Sequence, residues 1–413
     1  MLITAEPLHR VVRSRRVDGW AGVALIGVAF FVTMLGTTLP TPLYPSYEAL
    51  FHFGELTTTI VFATYAVGVT AGLLLFGHWS DQIGRRPMLL AGLALSALSA
   101  VAYLLPSELA WIFVGRVLSG LSAGIFTGTA TAAIVDLVPR PDDARAQARA
   151  SLVAAAVNMG GLGFGPLVAG VLAQYAPLPI RLPFVVDLVL VAMSVMCVLA
   201  VREPVPRADS LHLQPQRPGI PTEIRPQFTR AAIAGFAGFA VLGLFGAVSP
   251  AFLGSLLHET NRAVVGAVVL STFLASVAGQ AGSSALGEHR ALRWGCAGLV
   301  VGMLVIAASL PTASLALLLV GALIAGLGQG MSFRAGLASV TAAGPADQRG
   351  EITSAFFVTL YVAIALPVIG VGAAVVAFGL VTAGVAFAVV VAALPALVLV
   401  LLARSGRRHL AEE

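Results

Sequence analysis

The chain has 413 residues, of which 58% are hydrophobic and only 10% are charged. This is too little polar surface to cover a water-soluble globule of that size, so the composition excludes an ordinary soluble protein. The formal charge of +5 comes from arginines scattered between apolar blocks, so nucleic acid is not expected as a partner. Cys197 and Cys296 lie in apolar stretches and no His/Cys cluster is present, so no disulfide, metal or other cofactor is indicated.

Apolar stretches long enough to cross a bilayer as helices fill the first half of the sequence. Each crossing needs about 20 mainly apolar residues, and charges, prolines and glycines separate one stretch from the next. The first stretch is longer than a signal-peptide core and lacks a convincing cleavage site, so it is expected to be retained. Six spans are predicted, at 19–39, 57–76, 88–106, 109–135, 149–174 and 181–201.

A polar segment from 202 to 228 separates these spans from the rest of the chain. Its six prolines disfavour a stable helix, so the segment is predicted to be a cytoplasmic linker. The linker divides the chain into an N-terminal six-helix bundle, 1–201, and a C-terminal one, 229–413.

The C-terminal part contains four further apolar stretches. Two have the length of one span, whereas an uncharged run of 40 residues is interrupted by Pro311 and another of 52 residues is too long for one helix. The longest run is expected to fold back near 376–379. Six more spans are therefore predicted, within 229–253, 262–286, 294–333 and 352–403, and the fold class is an all-α polytopic membrane protein with twelve helices.

The arginines predict the orientation of these spans. Alternate loops carry nearly all of them, and the intervening loops carry only Arg181 and Arg262. Arginine-rich loops face the cytoplasm, so both termini are expected there and the chain is expected in the plasma (inner) membrane. The arginines assigned to the inside include Arg16, Arg85, Arg86, Arg145, Arg290 and Arg349.

The fourth and tenth spans align without gaps at an offset of 206 residues. Such an internal repeat is expected of a transporter built from two parallel halves. The matching positions are Gly115 with Gly321, Gly120 with Gly326, Gly124 with Gly330, and Pro139 with Pro345.

The loop between the second and third spans, GHWSDQIGRRP at 77–87, carries the most informative motif. It resembles the loop between helices 2 and 3 of major facilitator superfamily transporters, although Trp79 and Gln82 depart from that pattern. The resemblance implies two pseudo-symmetric six-helix bundles, alternating access, and a conformational gate that joins the cytoplasmic ends in the outward-facing state. An ordinary arginine-rich loop is the alternative, although topology requires neither the acidic residue nor the second glycine. The matching gate residues are Gly77, Ser80, Asp81, Gly84, Arg85, Arg86 and Pro87.

The fifth span contains NMGGLGFGPLVAG, which resembles the antiporter signature of drug:proton exchangers in this superfamily. Glycines four residues apart leave one helix face without side chains, so another helix can approach its backbone closely. A proline removes one internal hydrogen bond of the helix. The alternative is a helix that is merely closely packed. The residues concerned are Gly161, Gly165, Pro166 and Gly170.

Three ionisable residues inside the spans are candidates for proton coupling or substrate binding. By resemblance, Arg116 takes the place of an intramembrane arginine that the family uses in proton transfer. Arginine keeps its own proton, so its role would be to shift the pKa of a nearby acid or to hold substrate. The alternative is that it serves only as a structural anchor. Asp187, at similar depth, is the hypothesised coupling carboxylate and a possible partner of Arg116; the alternative is that it reaches outward toward Arg181.

Arg334 is the third of these residues. When the two halves are aligned by the repeat, Arg334 lies about 18 Å along the helix axis from the position equivalent to Arg116. One small anion therefore cannot contact both arginines. It is expected to line the inner half of a cavity or to bind carbonyl groups at a broken helix, with a side chain that reaches the membrane surface as the alternative.

These features favour a secondary active transporter, specifically a proton-coupled exporter of small amphipathic drugs or metabolites. Its expected partners are a small-molecule substrate, protons and the lipid bilayer, and it is expected to act as a monomer. Two alternatives remain open: a proton-coupled importer of a sugar or organic acid, and a non-transporting membrane scaffold or sensor. The sequence contains no phosphate loop, nucleophile triad or paired catalytic carboxylates, so neither an enzyme nor a catalytic residue is predicted.

Overall fold

The computed structural model describes residues 16–105, 108–139, 142–208, 211, 215–345 and 348–412. The basic N-terminal stretch 1–15 lies outside these residues, as do 209–210 and 212–214 of the predicted linker. Within the described ranges, twelve helices have the length and apolar composition needed to cross a membrane. The predicted fold class is confirmed.

The first half of the chain forms a bundle of six long helices. They are α1 Gly19–Thr38, α2 Glu55–Phe76, α3 Arg85–Leu104, α4 Leu109–Asp136, α5 Ala144–Tyr175 and α6 Leu182–Ala200. The Asp143 side chain caps α5 by accepting hydrogen bonds from the backbone N–H groups of Arg145 and Ala146, two donors that a first helical turn leaves unpaired. Within the bundle, α1 packs on α5, and α4 packs on both α2 and α3.

The second half forms a matching bundle. Its long helices are α7 Arg225–Ala247, α8 Arg262–Leu286, α9 Glu288–Ser309, α10 Leu315–Ala343, α11 Arg349–Phe378 and α12 Leu380–Glu412. Pro311 lies between α9 and α10, as predicted. Gly379 separates α11 from α12 within the predicted range 376–379, and its φ of +81° is a left-handed conformation that glycine adopts readily.

The limits of α7 differ from the predicted span. The helix begins at Arg225, inside the stretch predicted as linker, because Pro226 falls in its first turn, where no backbone N–H is needed. It ends at Ala247 and not at 253. Pro250 follows in a separate short helical segment, and the chain then forms a π-helical turn over Phe252–Leu256.

The internal repeat is visible in the packing. Gly120 of α4 lies directly against the carbonyl oxygen of Tyr65 in α2. In the second half, Gly326 of α10 lies in the same way against the carbonyl oxygen of Thr272 in α8. The residues that matched in sequence therefore make the same close helix contact in both bundles.

The two bundles meet along two helix pairs, α5 with α8 and α2 with α11. The linker passes between them at one end of the molecule. There the backbone N–H of Gln216 donates to the carbonyl oxygen of Leu74 at 2.7 Å, and that of Gly219 donates to the carbonyl oxygen of Glu351 at 3.4 Å. The linker is thus bonded to both bundles, and we call this end the linker side and the opposite end the far side.

Candidate solute cavity

A cavity lies between the two bundles and opens on the linker side. Its wide outer part measures about 630 Å³ and is formed by the linker-side halves of α4, α5, α8, α10 and α11. Asn158, Phe333 and Phe357 line both this part and a narrow inner pocket of about 60 Å³ at the centre of the molecule. The two parts therefore adjoin at these three residues, and together they extend from the linker side to the centre of the molecule.

The two walls of the inner pocket differ in chemistry. The first half of the chain supplies most of its polar groups, which are those of Thr37, Thr38, Thr41, Tyr65, Arg116 and Asn158. The second half supplies phenylalanines and aliphatic side chains, with Tyr361 as its one hydroxyl among the described lining residues. The rings of the second half belong to Phe239, Phe273, Phe333 and Phe357. A bound solute would contact polar groups on one side and aromatic rings on the other.

Close contacts between α5 and α8 shut the far side. The Arg262 side chain at the start of α8 donates to the carbonyl oxygen of Ala173 in α5 at 3.2 Å and to the hydroxyl of Ser46 at 3.0 Å. Below it, Gly266 of α8 lies against the carbonyl group of Pro166. The cavity is therefore open at the linker side, whereas α5 and α8 are in direct contact at the far side.

The glycines of the antiporter-type motif bring α5 close to two different helices. Gly161 and Gly165 face α1: a Cβ atom at Gly161 would lie 2.6 Å from the Cβ of Met34, and one at Gly165 would collide with the carbonyl oxygen of Leu35. Gly170 faces α8, where a Cβ would collide with the carbonyl oxygen of Arg262. The motif therefore joins α5 to both the first bundle and the second.

Arg116 is 1% exposed and lines the inner pocket. Its guanidinium donates to the carbonyl oxygen of Thr37 at 2.7 Å and to the hydroxyl of Tyr44. The guanidinium carbon lies 5.3 Å from the centroid of the Tyr44 ring and 5.9 Å from that of Phe62, within the range of cation–π attraction. Its Nε has no hydrogen-bond partner among the described residues.

Asp187 lies inside the first bundle and does not reach the surface. It is 3% exposed, and its carboxylate lies against Gly36 of α1, where an added Cβ would be 2.8 Å from Oδ1 and 2.9 Å from Oδ2. Asp187 and Arg116 thus approach α1 at neighbouring residues, Gly36 and Thr37. Both belong to the described part of the chain, yet no ion pair joins them and Oδ1 has no described hydrogen-bond partner, so the predicted pairing is absent from this conformation.

Arg334 lines the wide part of the cavity from α10. It is half-buried, and within the part of the chain that the structure describes it has no hydrogen-bond or ion-pair partner. Arg334 thus lies in the linker-side half of the cavity, away from the inner pocket.

The predicted gate residues form a network on the linker side. Arg85 pairs with Asp81 at 2.5 Å and with Asp136 at the end of α4 at 2.9 Å. Gly84 has a φ of +108°, which lets the chain turn sharply into α3. All of these contacts lie within the first bundle.

Two further gate residues contact the linker. The carboxylate of Glu203 accepts from the backbone N–H of Arg85 at 2.7 Å and from that of Arg86 at 2.9 Å, and so caps the first turn of α3. Gly77 lies against the Gln216 side chain, so a Cβ atom at Gly77 would collide with it.

A model of the Major Facilitator Superfamily matches residues 26–366. The chain belongs to the Major Facilitator Superfamily. Its family and fold are those of membrane transporters, and this MFS chain is a multi-pass membrane protein.

Relatives of this MFS chain include named drug-resistance proteins. It is 29% identical over 154 residues to multidrug resistance protein 2 of Bacillus subtilis, covering 37% of each chain. It is 29% identical over 181 residues to the class D tetracycline resistance protein of Salmonella ordonez, covering 43% of this chain and 42% of that one. The matched region thus spans less than half the length of these curated relatives.

The fold of this MFS chain resembles that of solved transporters. One is a bacterial homologue of the human lysosomal transporter Spinster, solved in an inward-facing and occupied conformation. The TM-score is 0.68 at 15% sequence identity, covering 91% of this chain and 96% of that structure.

Three residues that shape the site were not predicted as site residues from the sequence: Tyr44, Glu203 and Arg262. Each contacts a residue that is distant along the chain, with separations of 72 residues for Tyr44 and Arg116, and 118 for Glu203 and Arg85. No local spacing indicates such contacts. The prolines around Tyr44 were the only local signal that this segment turns back into the protein.

Proposed function

We propose that this MFS chain is a secondary active transporter that works by alternating access and exports small amphipathic drugs or metabolites in exchange for protons. The observation that carries the proposal is the cavity between the bundles, which is open on the linker side and closed on the far side by Arg262 and Gly266. A carrier needs a site that both halves line and that one side at a time can reach. The names of the drug-resistance relatives support export of such solutes.

The linker side is proposed to be the cytoplasmic side of the plasma (inner) membrane, with both termini in the cytoplasm. Arg85, Arg86, Arg145 and Arg202 lie at this end of the helices, whereas Arg181 and Arg262 lie at the far end. An arginine excess of this kind marks cytoplasmic loops. The structure then corresponds to the inward-facing state of a carrier that acts as a monomer.

Rocking of residues 1–201 against 229–413 is proposed to exchange the two states. Closing the linker side would bring the gate residues Gly77, Asp81, Gly84, Arg85 and Arg86 toward the second bundle. Opening the far side would separate α5 from α8 at Gly170 and Gly266. The glycines of α5 support this, because backbones in direct contact pass from one packed arrangement to another with few side chains to rearrange.

Asp187 is proposed to carry the exchanged proton. A carboxyl group gains and loses a proton readily, whereas the guanidinium of Arg116 does not. Both side chains contact α1 at adjacent residues, Gly36 and Thr37. A change in the charge of Asp187 therefore changes the electrostatic potential close to Arg116. Because Arg116 lines the inner pocket, this arrangement offers a route for coupling between the proton and the solute.

The composition of the pocket wall favours an amphipathic solute over a sugar. A sugar exposes hydroxyl groups in several directions, and each one that is buried needs a hydrogen-bond partner. The second half supplies chiefly Phe239, Phe273, Phe333 and Phe357 to the inner pocket. Those rings can pack against the apolar part of an amphipathic solute. They offer no hydrogen-bond partner to the hydroxyl groups of a sugar.

The test uses purified protein in liposomes with a trapped pH-sensitive dye and a panel of lipophilic cations, organic acids and sugars. Solute and proton fluxes in opposite directions are expected for amphipathic compounds. The Asp187→Asn variant should lose the proton flux, whereas Asp142→Asn, at an exposed loop position, should retain it. Parallel fluxes with sugars or acids would replace the proposal by the importer, and absence of flux across the panel would favour the scaffold.

A further inference from the structure

We propose that the cavity selects amphipathic anions, with the acidic group of the solute at Arg334 and its apolar body against the phenylalanines of the second half. The inference rests on the proposed function in one respect, namely that the cavity is the solute site. It adds the sign of the solute's charge and the residue that recognises it.

The charges that line the cavity are predominantly positive. Arg116 lines its inner part and Arg334 its outer part. Asp136 is the one acidic residue among the described lining residues, and its carboxylate accepts from the guanidinium of Arg85 at 2.9 Å. A cationic solute would therefore meet two arginines and no free carboxylate along these walls.

Arg334 has the surroundings expected of an anion-binding group. It projects from a membrane-spanning helix, is half-buried, and has no described partner for its five N–H donors. An unpaired cation within the membrane is costly, and such residues mark substrate pathways. A carboxylate, sulfonate or phosphate would supply the missing counter-charge through paired hydrogen bonds.

Arg116 provides a second position deeper in the same cavity. Thr37 and Tyr44 occupy part of its guanidinium, while its Nε is buried and has no described partner. Arg116 and Arg334 differ in depth by twelve residues of helix, or about 18 Å. One acidic group therefore binds either at Arg116 or at Arg334. An anion that enters from the linker side would meet Arg334 first.

The apolar body of the solute would lie beside Phe333 and Phe357. Phe333 precedes Arg334 in α10, lines both parts of the cavity, and lies 6.1 Å from the Phe357 ring between centroids. Flat aromatic solutes pack on such rings in offset or edge-to-face geometry. An acidic group at Arg334 therefore places an aromatic body at the entrance to the inner pocket.

The test measures equilibrium binding to full-length protein in lipid nanodiscs, using naphthylacetate, naphthylethylammonium and naphthylethanol. These compounds share one ring system and differ in charge. We expect naphthylacetate to bind at least about tenfold more tightly than the ammonium compound, because a charge-assisted hydrogen bond contributes about 1.5–3 kcal/mol. Arg334→Gln should remove that preference while the alcohol binds as before, and Arg334→Glu should reverse it.

Arg293→Gln is the matched control, because Arg293 is exposed on α9. Unchanged binding of the alcohol shows that each variant is folded. Tighter binding of the ammonium compound, equal binding of all three, or binding of none would overturn the proposal, and so would an Arg334→Gln variant with unchanged affinity for naphthylacetate. Since no flux or proton is measured, failure of proton exchange in liposomes would leave this result standing.

Discussion

Gly266 in α8 lies directly against the backbone of Pro166 in α5. A Cβ atom at Gly266 would be 2.6 Å from the Cα of Leu167 and 2.7 Å from the carbonyl carbon of Pro166, closer than real side chains approach. The far-side closure thus depends on two backbones in contact, with Arg262 bonded across the same helix pair.

Replacing Gly266 by alanine is expected to open the far side, because the added methyl group forces α8 away from α5. A Thr41→Cys reporter in the inner pocket, in a background with Cys197 and Cys296 replaced by serine, measures this opening. Labelling by a membrane-impermeant maleimide added from the far side should increase several-fold.

Gly282→Ala is the control for this change. Gly282 lies in the same helix, and an added Cβ there would meet only the Met331 methyl group at 3.9 Å, an ordinary contact. Equal labelling of the two alanine variants would show that the contact does not seal the far side.

Replacing Gly36 by alanine should disturb Asp187 without altering its chemistry. The new methyl group would lie under 3 Å from both carboxylate oxygens, so the carboxylate must move away from α1. If Asp187 carries the proton, solute-driven proton flux in liposomes should fall about tenfold, the effect of a change near 1.4 kcal/mol. Gly27→Ala, in the same helix and 3.7 Å from a Val157 methyl group, should leave the flux intact. A normal flux in Gly36→Ala would remove Asp187 from the coupling route.

Replacing Tyr44 by phenylalanine should destabilise the first bundle. The hydroxyl of Tyr44 accepts a hydrogen bond from buried Arg116, and its loss leaves a charged donor unpaired at a cost of about 1–3 kcal/mol. We therefore expect a lower melting temperature in detergent. The Tyr103 hydroxyl is buried with no described partner, so Tyr103→Phe should melt at or above the wild-type temperature. A Tyr44→Phe variant as stable as Tyr103→Phe would contradict the bond.

Replacing Glu203 by alanine should loosen the first turn of α3. Its carboxylate accepts from the N–H groups of both Arg85 and Arg86, and helix caps contribute about 1 kcal/mol. Trypsin should then cleave between these two arginines about five- to tenfold faster, in proportion to the population of the opened turn. Glu223→Ala, at an exposed position of the linker, is the control. Unaltered cleavage would mean that the gate turn is held by the Arg85 ion pairs alone.

The helices were largely predictable because the bilayer sets their length. Pro311 and the stretch 376–379 interrupt apolar runs that are too long for one span, and the structure breaks the helices there. The end of α7 was not predictable from apolar character, because the residues after Ala247 are as apolar as those before it. The end depends on Pro250 and on the π-helical turn that follows it.

The candidate site was predictable in its residues but not in its contacts. Helix rise put Asp187 and Arg116 at a similar depth, and the structure brings both to the same turn of α1. Depth does not determine which face of a helix a side chain occupies, so the absence of an ion pair between them could not be foreseen. The partners of Arg116 and the seal at Arg262 depend on how distant helices cross.

The linker is bonded to both bundles within four residues of chain. The amides of Gln216 and Gly219 donate to the carbonyl oxygens of Leu74 in one bundle and Glu351 in the other, so each bundle holds one amide of a single short segment. A large separation of those two carbonyl groups would exceed the reach of this short segment and release at least one amide. If the two bundles rock as proposed, deuterium uptake at these two amides should rise and fall with that movement in the unlabelled, unmutated protein.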